Sequence, residues 1–380
     1  MRRSARVARL AIVFLFGELV RILVPCRHRR GVLVMKIDAL GDLFLWLSSG
    51  ITEVHEWSRS VGDSSVVILV RQELVDLVRS FELFDMVLPI DVRKFRSNLL
   101  YRFGLLLKLR RMCFKHVLQL RIAREFLQED AIVRAIDATQ TLGVLGDGHN
   151  LEGWQAALSD QWYTPIVDFE GASFHELERN SAVAMALTGR RPVRFEVRRA
   201  ENGPFEGIPS DYFVVAPGAG WVPRQWSSEN FAELAKQIRK RWGIDCVVVG
   251  TGRDLQLSSA IADASEGISL CGKLSILQLV EIVRNAKLVV GNESGVVHVA
   301  AYLCVPSVAI LGGGHFGWFM PYPRQYPGVS RPEVVMQHMA CFGCNWQCVY
   351  PLSEGKAVPC IAGVQVDAVL QAVRQVMSRG

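Results

Sequence analysis

The N-terminal segment lacks the length of a membrane span. Its longest uncharged run is Leu10 to Gly17, against the roughly 20 apolar residues that cross a bilayer. A small-residue cleavage site is also missing, since Pro25 leads into further arginine, and this disfavours a secretory signal peptide. There is no internal repeat and no low-complexity tract, so neither a repeat array nor a disordered linker accounts for the chain. No Asp-x-Asp pair occurs anywhere; nothing in the sequence therefore marks a divalent cation bridging a diphosphate. The second basic stretch, Arg93 to Arg124, lacks interleaved aromatic residues in any nucleic-acid-binding pattern, which excludes nucleic acid as a partner.

What is present is a 380-residue chain that is 50% hydrophobic, enough to bury two cores and to favour two domains. Short strand-like runs (Val66 to Val70, Val117 to Leu120, Phe213 to Ala216, Cys246 to Gly250, Leu288 to Gly291, Ser307 to Leu311) alternate with helical stretches. This alternation calls for parallel sheets covered by helices. The Pro-, Gly- and charge-rich segment from Arg190 to Asp211 suits a linker. We expect a basic segment over 1–30, a first Rossmann-like domain over 31–200 and a second over 201–380.

The net charge of +6 is uneven, with eight arginines crowded before Gly31. As a helix, this segment would place Ala8, Ile12, Leu15, Phe16, Leu19, Ile22 and Leu23 on one face and its arginines off it. That pattern fits an interfacial helix on an anionic membrane, or a helix packed on the protein's own surface. The Arg93 to Arg124 stretch reads as a face for an anionic acceptor or lipid, or as a solvated helix.

Of nine cysteines, four cluster as Cys341, Cys344, Cys348 and Cys360. Three of these thiolates lie close enough in sequence to reach one ion, and the fourth can return after a loop to close a structural zinc or iron site. Disulfides are the rival reading, disfavoured in a reducing cytoplasm. Cys26, Cys113, Cys246, Cys271 and Cys304 stand in scattered, mostly apolar contexts and read as small buried residues. The run GGGHFG at Gly312 to Gly317 satisfies G-x-G-x-x-G, but a dinucleotide site needs a helix there, and Pro321, Pro323 and Pro327 argue for a loop.

Two turns carry the chemistry. In APGAGWVPRQW, Ala216 to Trp226, Gly218, Ala219 and Gly220 let the backbone approach phosphate oxygens, and a helix should start at Ser227 or Ser228. Arg224 there is either a two-toothed phosphate grip or a solvent-exposed loop arginine. In KLVVGNESGVVHVAAYLCVPSVAILGGG, Lys287 to Gly314, a strand opens through Gly291, Asn292, Glu293, Ser294 and Gly295 onto a helix whose free N–H groups can hold an anion. His298 lies one turn into that helix and can face the same crevice or serve the core. Asp254, after a further strand, could accept from ribose hydroxyls or cap a helix. A third turn, Lys36 to Asp42, follows the strand Val32 to Met35; Gly41 permits a tight bend that aims Asp42 at the start of the next helix, as a base or as a helix-capping carboxylate.

These blocks, in this order, resemble glycosyltransferase family 9, the lipopolysaccharide heptosyltransferases and their relatives. The last block resembles the family's DSGxxHxAxAxxxPxxxxxG, with Glu293 where aspartate is usual; VLVMKIDALGDLFL, APGAGWVPRQW and LCGKLSILQLVEIVRNAKLVVGN match the others. The likeness runs from about Val32 to the C-terminus and is weak between Phe126 and Leu187. It implies a GT-B fold, two Rossmann-like domains facing a central cleft, preceded here by the amphipathic helix. It implies an inverting transfer from ADP-heptose to a lipid-linked saccharide such as lipopolysaccharide inner core, on the cytoplasmic face of a bacterial inner membrane. By matching position Asp42 is the base and Asp38 the second candidate, Arg224 flanks the pyrophosphate, and Asn292, Ser294, Gly295 and His298 line the donor pocket. Many family members also carry a C-terminal cysteine set. A sugar-nucleotide epimerase of the same fold and a catalytically silent sugar-nucleotide-binding protein are the alternatives.

Overall fold

The computed structural model describes residues 14–61, 65–144, 150–167, 175–199, 207–324 and 326–379. The chain divides into two compact units. The first comprises Met1–Ala39, Gly50–Ala172 and Ser181–Val197; the second comprises Leu40–Ser49, Ser173–Asn180 and Arg198–Gly380. The helix Leu40–Ser49 thus groups with the second unit, although a division at residue 200 would assign it to the first. Its apolar face explains this: Leu45 packs with Leu177, Val297, Ala301, Leu311 and Met320 in one buried cluster.

Each unit is built on a six-stranded sheet in which every pairing is parallel. In the first unit the strands are β1 (Val32–Lys36), β2 (Val66–Arg71), β3 (Met86–Ile90), β4 (His116–Gln119), β5 (Gln140–Gly143) and β6 (Thr164–Pro165), ordered 3-2-1-4-5-6. In the second they are β7 (Tyr212–Ala216), β8 (Asp245–Val248), β9 (Ile268–Ser269), β10 (Leu288–Asn292), β11 (Ser307–Ile310) and β12 (Glu333–Val335), ordered 12-11-10-7-8-9. The central strands, VLVMK, YFVVA and LVVGN, are mostly apolar with every residue buried, as expected when helices cover both faces of a parallel sheet. In both sheets the order reverses beside the first strand, between β1 and β4 and between β7 and β10. Loops leaving the carboxyl ends of such strands diverge and leave room for a ligand.

The helices that matter for function are α1 (residues 14–23), α2 (Leu40–Ser49), α3 (Leu99–Arg111), α4 (Ala131–Ile136), α5 (Ser228–Trp242) and α6 (Gly295–Tyr302). α1 is the described part of the N-terminal segment; Ala8 and Ile12 lie outside the described residues. Its inner side is fixed to the first unit by buried Val20, by Phe14 stacked on Phe126 and Trp162, and by Glu18 paired with Arg134. Phe16 also turns inward, meeting Phe103 edge-on. Leu15, Leu19, Ile22 and Leu23 point outward, 45 to 68% exposed.

Only part of the basic stretch is the charged face expected of it: Arg93, Lys94, Arg96, Lys108 and Arg111 are exposed, and three other arginines turn inward. Arg102 and Arg110 on α3 are buried and donate to backbone carbonyls, Arg110 also pairing with the Asp137 carboxylate. Arg102 donates to Phe95 and Leu127, and burial lowers its pKa to about 10. Arg110 donates to Arg21 and Val24 at the end of α1 and to Ile136 at the end of α4. A helix leaves its last carbonyls without partners and carries partial negative charge there, so one guanidinium satisfies two helix ends. Arg124 is buried against Asp130.

Three cysteine assignments also change. Cys26 and Cys113, with Cα atoms 5.4 Å apart, form a disulfide between the segment after α1 and the end of α3. Cys304 is exposed, while Cys246 and Cys271 are buried as expected.

Replacing Arg110 by alanine strands the carbonyls at the ends of α1 and α4. We expect a loss of about 3 kcal/mol in urea unfolding, with faster amide exchange in α1 than elsewhere in the unit. A change below about 0.5 kcal/mol, the range of an ordinary surface substitution, would show that Arg110 does not hold the helix.

Candidate functional site

The second sheet's switch point supplies two loops side by side, because Ala216 of β7 is paired with Gly291 of β10. A Cβ on Gly291 would lie 2.7 Å from the Ala216 carbonyl oxygen, so only glycine allows this register at the strand ends. Asn292 then ties the loops together. Its Nδ2 donates to the Pro217 carbonyl at 2.6 Å and its Oδ1 accepts from the Trp226 amide at 3.0 Å. Both ends of this buried amide bond the backbone, so Asn292 shapes the turn.

Beyond Pro217, the backbone through Gly218, Ala219 and Gly220 emerges from buried to exposed and enters a single 3-10 turn, Val222–Arg224. Helix α5 follows with Ser227 as its N-cap, whose Oγ accepts from the Asn230 amide. Gly218 lies against Asp254: a Cβ there would come within 2.9 Å of the carboxylate. Asp254 Oδ2 accepts from both the amide and the hydroxyl of Thr251, which makes this carboxylate the turn-capping group and brings it directly under the glycine turn.

Arg224 reaches across to β10. Its guanidinium pairs with the Glu293 carboxylate at 3.1 Å, and Glu293 is buried. Burial pushes the Glu293 pKa up; Arg224 pulls it back, and the charge of Asp42 adds to the rise. Ser294 is the N-cap residue of α6, and its Oγ is buried with no hydrogen-bond partner among the described residues. The Val297 and His298 amides donate to the Ser294 carbonyl and the Gly295 and Val296 amides precede the first helical bond, so the Ser294–Gly295 end offers positive potential next to the Glu293–Arg224 pair.

The N-terminus of α2 is set directly on that end of α6. A Cβ on Gly295 would sit 3.1 Å from the Gly41 nitrogen, and one on Gly41 would sit 2.8 Å from the ring of His298. Two glycines thus let two helix starts touch, which brings Asp42, in the first turn of α2 and half-buried, to the Glu293–Arg224 pair. His298 lies beneath this contact instead of opening onto a crevice. It is buried, its Nδ1 is 2.8 Å from the Tyr322 hydroxyl, and the rings stack. Burial holds its pKa down to about 3, so it is a neutral spacer under Gly41.

In the first unit the equivalent switch point is occupied by charges. Lys36 pairs with Asp38 at 2.9 Å, Arg121 pairs with Asp38 at 3.2 Å, and Arg121 also meets buried Glu129 at 2.9 Å. Burial works to raise the Asp38 pKa, but Lys36 and Arg121 outweigh it and hold the pKa below the usual carboxylate range. A carboxylate gripped by two cations is a weak base. Asp38 is therefore a structural anchor of the Lys36–Asp42 turn.

The cysteine cluster is partly assembled. Cys341, Cys344, Cys348 and Cys360 line one small cavity of about 10 Å³ together with Met339 and Trp346, and Cys341 and Cys344 add to the upward shift that burial gives the Cys360 thiol. Among the described residues, however, no three His, Cys, Asp or Glu side chains are gathered closely enough to hold a metal ion. The expected metal set converges on one cavity without closing on one point.

Sequence reading missed Trp346. Its ring lies against the Arg224 guanidinium, 4.3 Å from centroid to carbon, and no periodicity links residues so far apart in the chain.

Comparison with known proteins bears on this geometry. The glycosyltransferase family 9 (heptosyltransferase) pattern matches residues 153–347, just over half of the chain. Lipopolysaccharide heptosyltransferase 2 of Salmonella typhimurium is 36% identical over 103 residues, 25% of this chain and 29% of that protein. The curated relatives matched first are spanned over only 29 to 32% of their own length. Among solved structures, the Escherichia coli ADP-heptose lipopolysaccharide heptosyltransferase II superposes with a TM-score of 0.63 at 16% identity, over 92% of this chain and 99% of that one. The iron-containing dodecameric glycosyltransferase TibC of enterotoxigenic E. coli gives 0.54 at 15% identity, over 93% and 79%. These likenesses establish a shared fold, two parallel-sheet units of GT-B type, and with the matched pattern they show that the chain belongs to glycosyltransferase family 9, the heptosyltransferase family.

Proposed function

We propose that this protein is an inverting, metal-independent glycosyltransferase that moves a heptose from ADP-heptose to a lipid-linked saccharide, the inner core of lipopolysaccharide. The observation that carries this reading is the contact of Gly41 with Gly295, which brings Asp42 within electrostatic reach of Glu293, the partner of Arg224, at the start of α6. Asp42 takes the proton of the acceptor hydroxyl as its oxygen bonds to the anomeric carbon. The diphosphate leaves from the opposite face and gains negative charge; Arg224 and the start of α6 stabilise it. Glu293 holds the guanidinium in place before the donor arrives. With no Asp-x-Asp pair in the sequence, the protein's own cation carries the charge a metal ion would otherwise bear. The family's heptosyltransferase names, and the ADP-heptose in the name of the E. coli enzyme, support the donor assignment. An epimerase would need acid and base groups on both faces of the sugar ring, and a silent binding protein would turn over no donor.

The chemistry is tested by comparing two variants. Asp42→Asn keeps the shape and removes the proton acceptor, so turnover with ADP-heptose and acceptor should fall by about 10²-fold or more while donor binding changes little. Arg224→Ala should raise the donor KM and also lower kcat, because its contact strengthens as charge grows on the leaving group. Normal turnover by Asp42→Asn would refute the assignment.

The membrane is the proposed site of action, on the cytoplasmic face of the inner membrane. No described helix is long and apolar enough to span a bilayer. α1 instead presents four aliphatic side chains outward while its inner side is anchored, a pattern that supports shallow insertion with nearby arginines on anionic headgroups. Changing Leu15, Leu19, Ile22 and Leu23 together to glutamine should abolish sedimentation with anionic liposomes and leave unfolding unchanged, and salt should weaken binding of the intact chain. Equal sedimentation of both proteins would sink the idea.

A structural zinc or iron is proposed for Cys341, Cys344, Cys348 and Cys360, supported by their common cavity and by the iron in the name of the TibC relative. Bound there, it would cross-link the loop without touching substrate. Protein purified without chelator should contain about one metal ion per chain, and Cys344→Ser should lose it and unfold more easily. Metal-free protein with all four thiols titratable would count decisively against the site.

A further inference from the structure

Arg224 stands on a single 3-10 turn in a glycine-rich loop, a weak support for a side chain that must present its N–H groups in one direction. One face of its guanidinium is covered by the indole of Trp346, and three independent features show that the indole is built into that place. The first is a slot of glycines. A Cβ at Gly312 would fall 2.6 Å from the indole and one at Gly314 only 2.2 Å from it, while one at Gly313 would strike Phe342 at 2.2 Å. The glycine run that mimics a dinucleotide motif thus serves to admit these rings.

The second feature is backbone conformation. Asn345 and Trp346 both have positive φ, 47° and 60°, a region that bulky residues adopt only when their surroundings impose it. The third is the lacing of the two loops. The Asn345 amide donates to the Gly314 carbonyl at 3.0 Å, the Gly343 amide donates to Gly313 at 2.8 Å, and the Asn345 side chain meets His315 at 2.9 Å. Trp221 and His315 stand edge-on to the indole. The Val358 amide donates to the Pro223 carbonyl, next to Arg224, so the cysteine segment grips the arginine turn at its backbone as well.

We propose that Trp346 is a positioning residue for Arg224: it holds the guanidinium flat against the indole so that its N–H edge faces the donor diphosphate, and it makes the cysteine loop part of the donor site. A guanidinium on an aromatic face gains attraction without losing its in-plane hydrogen bonds. Pre-ordering the side chain also removes part of the entropic cost of gripping the diphosphate. The kinetic part of this inference rests on the glycosyltransferase reading; the placement of Arg224 does not.

The test uses the full chain with Trp346→Ala, Trp346→Phe and Gly314→Ala. Trp346→Ala should raise the donor KM roughly 5- to 30-fold, the range that a partly desolvated cation–π contact supports, with the acceptor KM unchanged. Trp346→Phe should recover most of the loss because it keeps an aromatic face, and Gly314→Ala, which displaces the ring, should resemble Trp346→Ala. In an Arg224→Ala background, Trp346→Ala should add nothing, whereas an additive loss would overturn the positioning role. In ligand-free protein, modification of Arg224 by phenylglyoxal, mapped by mass spectrometry, should be several-fold faster in Trp346→Ala, provided urea unfolding shows the variant folded. If Trp346→Ala does not fold, Trp346→Phe and Gly314→Ala carry the same two measurements. Unchanged modification rates would overturn the proposal even if no nucleotide sugar were turned over. Wild-type protein that ignores ADP-heptose while Trp346 still shields Arg224 would overturn only the glycosyltransferase reading.

Discussion

The arrangement depends on the contact between the starts of α2 and α6. Helix ends normally stay apart, because side chains and the like partial charges of their N-termini separate them. Here Gly41 and Gly295 remove the side chains, and Leu45, Val297 and Ala301 supply the apolar packing that holds the helices together. Ionic complementarity deals with the charges: Asp42 lies in the first turn of α2 and Glu293 just before α6, both acidic groups at positive helix ends. Arg224 then offsets Glu293, which burial would otherwise tend to protonate. A methyl group at either glycine would push the two helix starts apart, so the placement of these charges follows from this close approach.

The two units bury charge in different ways. In the first, Arg102, Arg110 and Arg121 are consumed by carbonyls and carboxylates, and Arg121 ties the Asp38 turn after β1 to Glu129. Paired buried ions contribute little net stability, but removing one partner is costly; such a network resists rearrangement more than it adds cohesion. In the second unit a single ion pair stands at the switch point with a partly accessible guanidinium, and its aromatic backing comes from the cysteine loop.

Much of this was legible in the sequence, for identifiable reasons. Strands buried on both faces read as mostly apolar runs, so β1, β2, β7, β10 and β11 were located to within a residue or two. The cap at Ser227 announces the start of α5 by its hydroxyl three residues before Asn230. Glycine and serine after β10 marked the turn into α6. By contrast, the inward course of Arg102 and Arg110 was hidden, because a lysine- and arginine-rich helix looks the same whether its cations meet water or the ends of other helices. The Cys26–Cys113 pairing was hidden for a similar reason: the residues are far apart in sequence and neither sits in a spaced motif.

The sequence by itself determined the alternation of strands and helices, the glycines at three loop starts and the residue types of the site, since these depend on neighbours only a few positions away. Only the tertiary structure decided what each polar group is used for. It committed Asn292 and Asp254 to backbone groups, placed His298 neutral beneath Gly41, locked Asp38 between two cations, and brought Trp346 onto Arg224. A side chain's role is set by the groups that share its burial, and those arrive from distant parts of the chain when the sheets and their loops close.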